Sequence, residues 1–116
     1  MEERPIASDL AFVTYVCEQL RDVQGVSHRK MFGEYAIYVG DRVVALVADD
    51  QFFVKPTSAG RELLKAPVEA SPYPGASQYL LIGGELDDRD LMTALINATV
   101  AALPPAKPKR KKNRQG

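Results

Sequence analysis

Two tight reversals confine the middle of this chain. Between Val26 and Lys55, short stretches rich in strand-forming residues are broken at Gly33-Glu34, Gly40-Asp41 and Asp49-Asp50. Links this short leave no room for a crossover, so neighbouring runs must pair antiparallel. The spacing predicts four strands over 26–32, 35–39, 42–48 and 51–55. With Gly40-Asp41 as a two-residue loop, Ile37 is expected opposite Val44 and Tyr38 opposite Val43. One face then carries Tyr35, Ile37, Val39, Val44 and Leu46; the other carries Ala36, Tyr38, Val43, Ala45 and Val47. Neither face is polar, whereas a sheet covered on one side alternates cleanly. Helices are therefore expected on one face. Part of the second needs a shield from the chain's later segments, a second subunit or a ligand.

Outside the meander the period changes. Ser8 or Asp9 can cap a helix whose stripe is Leu10, Val13, Val16, Cys17, Leu20 and Val23, expected to end near Gln24 with Gly25 just beyond. Pro56 breaks the fourth strand, and Thr57 or Ser58 caps a short helix over 58–65. Residues 66–76 hold three prolines and one glycine and read as a surface connection. A last strand spans 77–82. Asp87 reads as the cap of a final helix, with Asp90 in its first turn and Leu86 and Leu91 closing over it. Its expected stripe is Leu91, Ala94, Leu95, Ala98, Ala101 and Ala102, stopped by Pro104-Pro105. The fold class is α+β: an antiparallel meander of about five strands, N- and C-terminal helices on one face, and a short helix after the fourth strand. Residues 8–103 are expected to form a single domain, between a flexible lead-in (1–7) and a disordered basic tail (104–116).

At 116 residues the chain has enough length for a single core. Its zero formal charge hides an asymmetry. Residues 104–116 hold six of the fifteen basic groups and none of the fifteen acidic ones, so the body carries six more acids than bases. Nucleic-acid-binding domains usually carry their positive charge on the fold itself. The single cysteine, Cys17, forms no internal disulfide, fits a reducing cytoplasm and offers no metal pair. No apolar run is long enough to span a bilayer.

The residues that carry chemistry are few. Cys17 falls on an apolar stripe and His28 beside the first strand, and nothing in their spacing demands a nucleophile–base pair. Asp87, Asp88 and Asp90 are accounted for by helix capping, and Asp49-Asp50 by a turn. No glycine-rich phosphate loop occurs. The expectation is a non-enzymatic domain with no cofactor and no metal. The tail residues Lys107, Lys109, Arg110, Lys111, Lys112 and Arg114 suit weak, non-specific contact with polyanions.

The run Arg29-Lys30-Met31-Phe32-Gly33-Glu34-Tyr35-Ala36-Ile37-Tyr38, followed by Ala45 to Asp50 and by Phe53-Val54-Lys55, resembles the N-terminal domain of the TfoX/Sxy family of bacterial competence regulators. The resemblance covers residues 9–100. It implies a role in competence or transcriptional regulation through contact with a protein partner. Full-length members carry a second, C-terminal domain for which these residues have no counterpart. The matching motif makes Arg29, Lys30, Phe32, Gly33, Tyr35 and Lys55 the candidate contact surface. A homodimer is a further expectation. The alternative is a module that binds a small molecule or nucleic acid through the second sheet face or the tail.

Overall fold

The structure, a computed structural model, describes residues 10–31 and 33–103. The lead-in with its Ser8 or Asp9 cap, Phe32 and the basic tail lie outside them. The elements are α1 (Leu10–Gln19), β1 (Val26–Met31), β2 (Glu34–Val39), β3 (Arg42–Ala48), β4 (Gln51–Val54), α2 (Ser58–Leu64), β5 (Val68–Ala70), β6 (Tyr79–Ile82), a 3₁₀ turn (Gly84–Asp87) and α3 (Arg89–Ala102). The fold is α+β, with six antiparallel strands in the order β1-β2-β3-β4-β6-β5.

Both expected reversals are present as two-residue turns, closed by the pairs Val39–Arg42 and Ala48–Gln51. Gly40 has φ 63° and Asp41 no positive φ, the pattern of a II′ turn. Asp49 and Asp50 both lie in the left-handed region, at φ 52° and 55°, as a I′ turn requires.

The register inside the β2–β3 hairpin departs from expectation. Tyr38 pairs with Val43 as the turn dictates, but Ile37 pairs with Ala45, not Val44. Val44 is an extra residue, a bulge that shifts the rest of β3 by one. Its carbonyl accepts a hydrogen bond from the Lys55 N–H at 2.9 Å, so the bulge leaves no orphaned acceptor there. A one-residue shift exchanges the faces. Ala45 and Val47 join Tyr35 and Ile37 on one side, and Leu46 moves across to join Ala36.

The first side is the core. Tyr35, Ile37, Val44, Ala45, Val47, Phe52, Val54, Leu80 and Ile82 form one cluster with Val13, Val16 and Leu20 from the α1 region, Leu64 of α2, Leu86, and Met92, Leu95 and Ile96 of α3. Helix α1 stops at Gln19, earlier than expected. Leu20 N–H is shared between the Val16 and Cys17 carbonyls, and Val23 N–H bonds to the Leu20 carbonyl at 2.9 Å. These tighter turns keep both Leu20 and Val23 buried, which a continued α-helix is not needed to do.

Helix α3 is capped by Asp88, not Asp87: the Asp88 carboxylate accepts from Leu91 N–H at 3.1 Å. Asp87 closes the preceding 3₁₀ turn, and its carboxylate accepts a hydrogen bond from the Tyr15 hydroxyl. The α3 stripe is correspondingly rotated. Met92, Leu95, Ile96 and Thr99 are buried, while Ala94, Ala101 and Ala102 are exposed. The larger side chains take the core, since burial favours area and alanine has little to give.

Gln19 ties α1 to this turn, its side-chain amide donating to the Leu86 carbonyl at 2.9 Å while only 9% exposed. Gln19→Leu leaves that carbonyl without its partner. The expected loss is about 1–3 kcal/mol, read by urea unfolding, against almost nothing for the exposed Gln24→Leu.

The connection over 66–76 contains a strand the sequence reading omits. Val68–Ala70 pairs antiparallel with β6 at the sheet's outer edge. Its prolines flank the strand, where no ladder donor is required. Arg61 of α2 holds it with an ion pair to Glu69, Nε to Oε2 2.8 Å. The Arg61 hydrogen bond holds the Glu69 carboxyl below its usual range. This contact therefore stabilises at pH above the ordinary carboxylate pKa and is lost as pH falls through the lowered one.

On the second face, a row of paired residues runs from edge to edge: Arg29, Ala36, Leu46, Phe53, Leu81 and Val68. Its centre is closed, with Ala36 at 0%, Leu46 at 8% and Phe53 at 3% exposure. Pro72 is buried and Tyr73 lines a cavity with Leu46, which sets the proline-rich segment over this face. Of the three expected shields, the chain's own later segment supplies this part.

Candidate functional site

β1 is an edge strand whose residues after Val26 are all exposed. Two of its six residues, Arg29 and Lys30, are cationic, His28 precedes them, and none is acidic. Period-two alternation sends Ser27, Arg29 and Met31 to the second face and His28 and Lys30 to the helix side.

Arg29 lies opposite Ala36, diagonal to Tyr38, and its guanidinium carbon sits 5.5 Å from the Tyr38 ring centroid. That distance is within cation–π range. The pair borders a cavity of about 510 Å³ lined by Ser27, His28, Arg29, Tyr38, Gly40 and Asp41. A second, mainly apolar cavity of about 440 Å³ lies at the other end of β1, between Met31, Glu34, Leu46 and Tyr73. Met31 and Tyr73 are 39% and 44% exposed, which is unusual enough for large apolar groups side by side to mark the place.

The residues named from the sequence are not all together. Arg29 and Lys30 sit on opposite sides of β1. Gly33, at φ 84°, turns the chain into β2, and Phe32 is outside the described residues. Tyr35 is 7% exposed and packs in the core, its ring 5.8 Å from that of His28. Lys55 follows β4, three strand spacings or about 14 Å from β1. Ser27, Tyr38, Met31 and Tyr73 are neighbours outside the six residues named as the contact surface, although Met31 and Tyr38 belong to the same motif. For Tyr38 a signal existed, since the Val26–Val39 register sets it opposite Ser27.

The structure brings Cys17 Sγ to 3.7 Å from His28 Nδ1. Burial pushes the Cys17 thiol above its ordinary pKa, the opposite of what activates a nucleophile. Alkylation by iodoacetamide at neutral pH is therefore expected to be slower than that of a free model thiol, by several-fold or more. A faster rate would show that His28 activates the sulfur. Among the described residues, no three His, Cys, Asp or Glu side chains gather as metal ligands, and no helix is long and apolar enough to cross a membrane.

Comparison with known proteins matches these residues to a family. The family model described as the TfoX N-terminal domain matches residues 18–103, the whole sheet and α3 included. A protein of Spirochaeta aurantia, described as an uncharacterized 12.7 kDa protein in the trpE 5′ region, is 36% identical over 109 residues, covering 94% of this chain and 95% of that protein. With the Arg29–Tyr38 motif, the meander and α3 all inside the matched span, the chain belongs to the TfoX N-terminal domain family.

Proposed function

We propose that this chain is a non-enzymatic regulatory or adaptor domain of the cytoplasm, acting by protein–protein contact in competence or transcriptional control. The observation that carries this reading is the exposed, basic β1 edge on a body that is otherwise acidic. Such a surface selects a partner by charge and shape and needs no reacting group. The half-buried thiol of Cys17, with its raised pKa, supports a structural role for the one strong nucleophile present.

A pulldown from a native bacterial extract, with and without residues 104–116, tests the proposal. The expected result is a protein partner retained without the tail, and weak DNA affinity that disappears with it. The second reading, a small-molecule or nucleic-acid-binding module, is favoured by the cavity beside Arg29 and Tyr38. It wins if DNA or nucleotide binding survives tail deletion and is lost in Arg29→Ala.

A further inference from the structure

We infer that the outer edge of β1 receives an extended acidic peptide segment as a seventh strand, with one acidic and one apolar side chain lodged in the two cavities that flank it. The inference rests on the protein-contact reading above and names the partner's chemistry.

The backbone supplies the first argument. Gly40 N–H bonds to the Gly25 carbonyl at 3.0 Å, so Gly25 and Gly40 form a hydrogen-bonded pair. Such pairs alternate along an antiparallel ladder. The β1–β2 register therefore makes Ser27–Tyr38, Arg29–Ala36 and Met31–Glu34 the other hydrogen-bonded pairs. Val26, His28 and Lys30 then turn their N–H and C=O groups outward, away from β2. Among the described residues β1 pairs with β2 alone. Three consecutive outward donor–acceptor sets, without proline or bulge, are the template that strand addition uses.

The side chains supply the second. An added strand would continue the second face, with alternate residues pointing the same way as Ser27, Arg29 and Met31. One such residue meets the cavity at Arg29 and Tyr38, where a carboxylate would pair with the guanidinium on the side away from Asp41 of the same lining. Another, two to four positions along, meets the mainly apolar cavity at Met31, Leu46 and Tyr73, where Glu34 on its wall favours an uncharged side chain.

Charge decides the occupant. A second copy pairing antiparallel on the β1 edge must oppose residues of the same face, and centred on Arg29 it would set Arg29 against Arg29 and His28 against Lys30. Like charges directly opposed destabilise a ladder, whereas an acidic strand is complementary.

The probe is a fluorescent seven-residue peptide of alternating threonine, with two aspartates and a leucine on its other face, titrated with the full chain by anisotropy. Saturable binding is expected, weakened at least about tenfold by Arg29→Glu. It should also be lost in Lys30→Pro, which removes an outward N–H and none of the β1–β2 bonds. Far-ultraviolet circular dichroism checks that both variants fold. The same peptide with N-methylated backbone amides should not bind.

Absence of binding overturns the inference, as does binding that tolerates Lys30→Pro and N-methylation. Dimerisation through β1, seen by sedimentation and abolished in Lys30→Pro, also overturns it, because the edge then belongs to a second copy. If the extract partner is captured equally by Lys30→Pro, this inference falls while the adaptor reading stands; if nothing is captured by the unaltered chain, the adaptor reading falls.

Discussion

Phe52→Ala is expected to lower the unfolding free energy by about 3–5 kcal/mol, the range for removing a fully buried aromatic ring. Phe52 is 0% exposed, and its pairing sets it between Val47 on β3 and Ile82 on β6, in the row that faces the helices. The void left there is walled by strands on both sides and cannot collapse easily. A domain of this size has about 5–15 kcal/mol in total, so about a fifth or more of its stability goes with one ring. The matching fall in melting temperature is roughly 15–30 °C. Phe53→Ala is a useful contrast. That ring points to the opposite face, beneath the proline-rich segment, which can settle into the space, so a smaller loss of about 2–3 kcal/mol is expected. Equal losses for the two would mean that the second face is as firmly built as the core.

Gly60→Val is expected to cost about 2–3 kcal/mol, although it replaces a glycine inside a helix. Replacing a helical glycine by alanine normally gains about 1 kcal/mol of propensity. Here a Cβ would lie 3.0 Å from Thr57 Oγ1, 3.1 Å from Leu95 Cδ1 and 3.2 Å from Leu80 Cδ1. The first of these atoms caps α2, accepting the Gly60 N–H at 2.9 Å, so moving it weakens the helix start. The other two join α3 and β6, both fully buried. Alanine balances the propensity gain against this crowding and should be near neutral. Valine adds two more methyl groups with a smaller propensity gain, and overpacking wins. Urea unfolding of the alanine and valine variants side by side separates the two effects. A stabilised valine variant would show that α2 can move away from the sheet at little cost.

Much of this architecture can be read from the chain, because the turns carry their own chemistry. Gly40-Asp41 and Asp49-Asp50 mark the reversals, and their closing pairs are where the spacing sets them. The bulge at Val44 is hidden for a definite reason. From Val43 to Ala48 every residue is apolar, so no polar side chain marks which face is which and a one-residue shift leaves the pattern unchanged. The α3 stripe is obscured in the same way, by alanines on both sides of the helix. The cap is blurred by adjacent aspartates, each able to serve, and only the 3₁₀ turn before them decides for Asp88. β5 is masked by its flanking prolines.

The candidate site is legible in part. The motif singles out Arg29 and Lys30 from the sequence alone. Its aromatic partner is Tyr38 and not Tyr35, because strand alternation buries the one and leaves the other beside Arg29. Tyr73 arrives from a segment more than forty residues away, which no local pattern anticipates.

A partner strand can add only if β1 stands open along one side. Amide hydrogen exchange followed residue by residue by NMR tests this most directly. Ser27, Arg29 and Met31, bonded to β2, should exchange slowly, while Val26, His28 and Lys30 exchange fast, giving a period-two pattern along one strand. Uniform protection of all six in the isolated chain would show the edge already covered, and would contradict the claim that it waits for a partner strand.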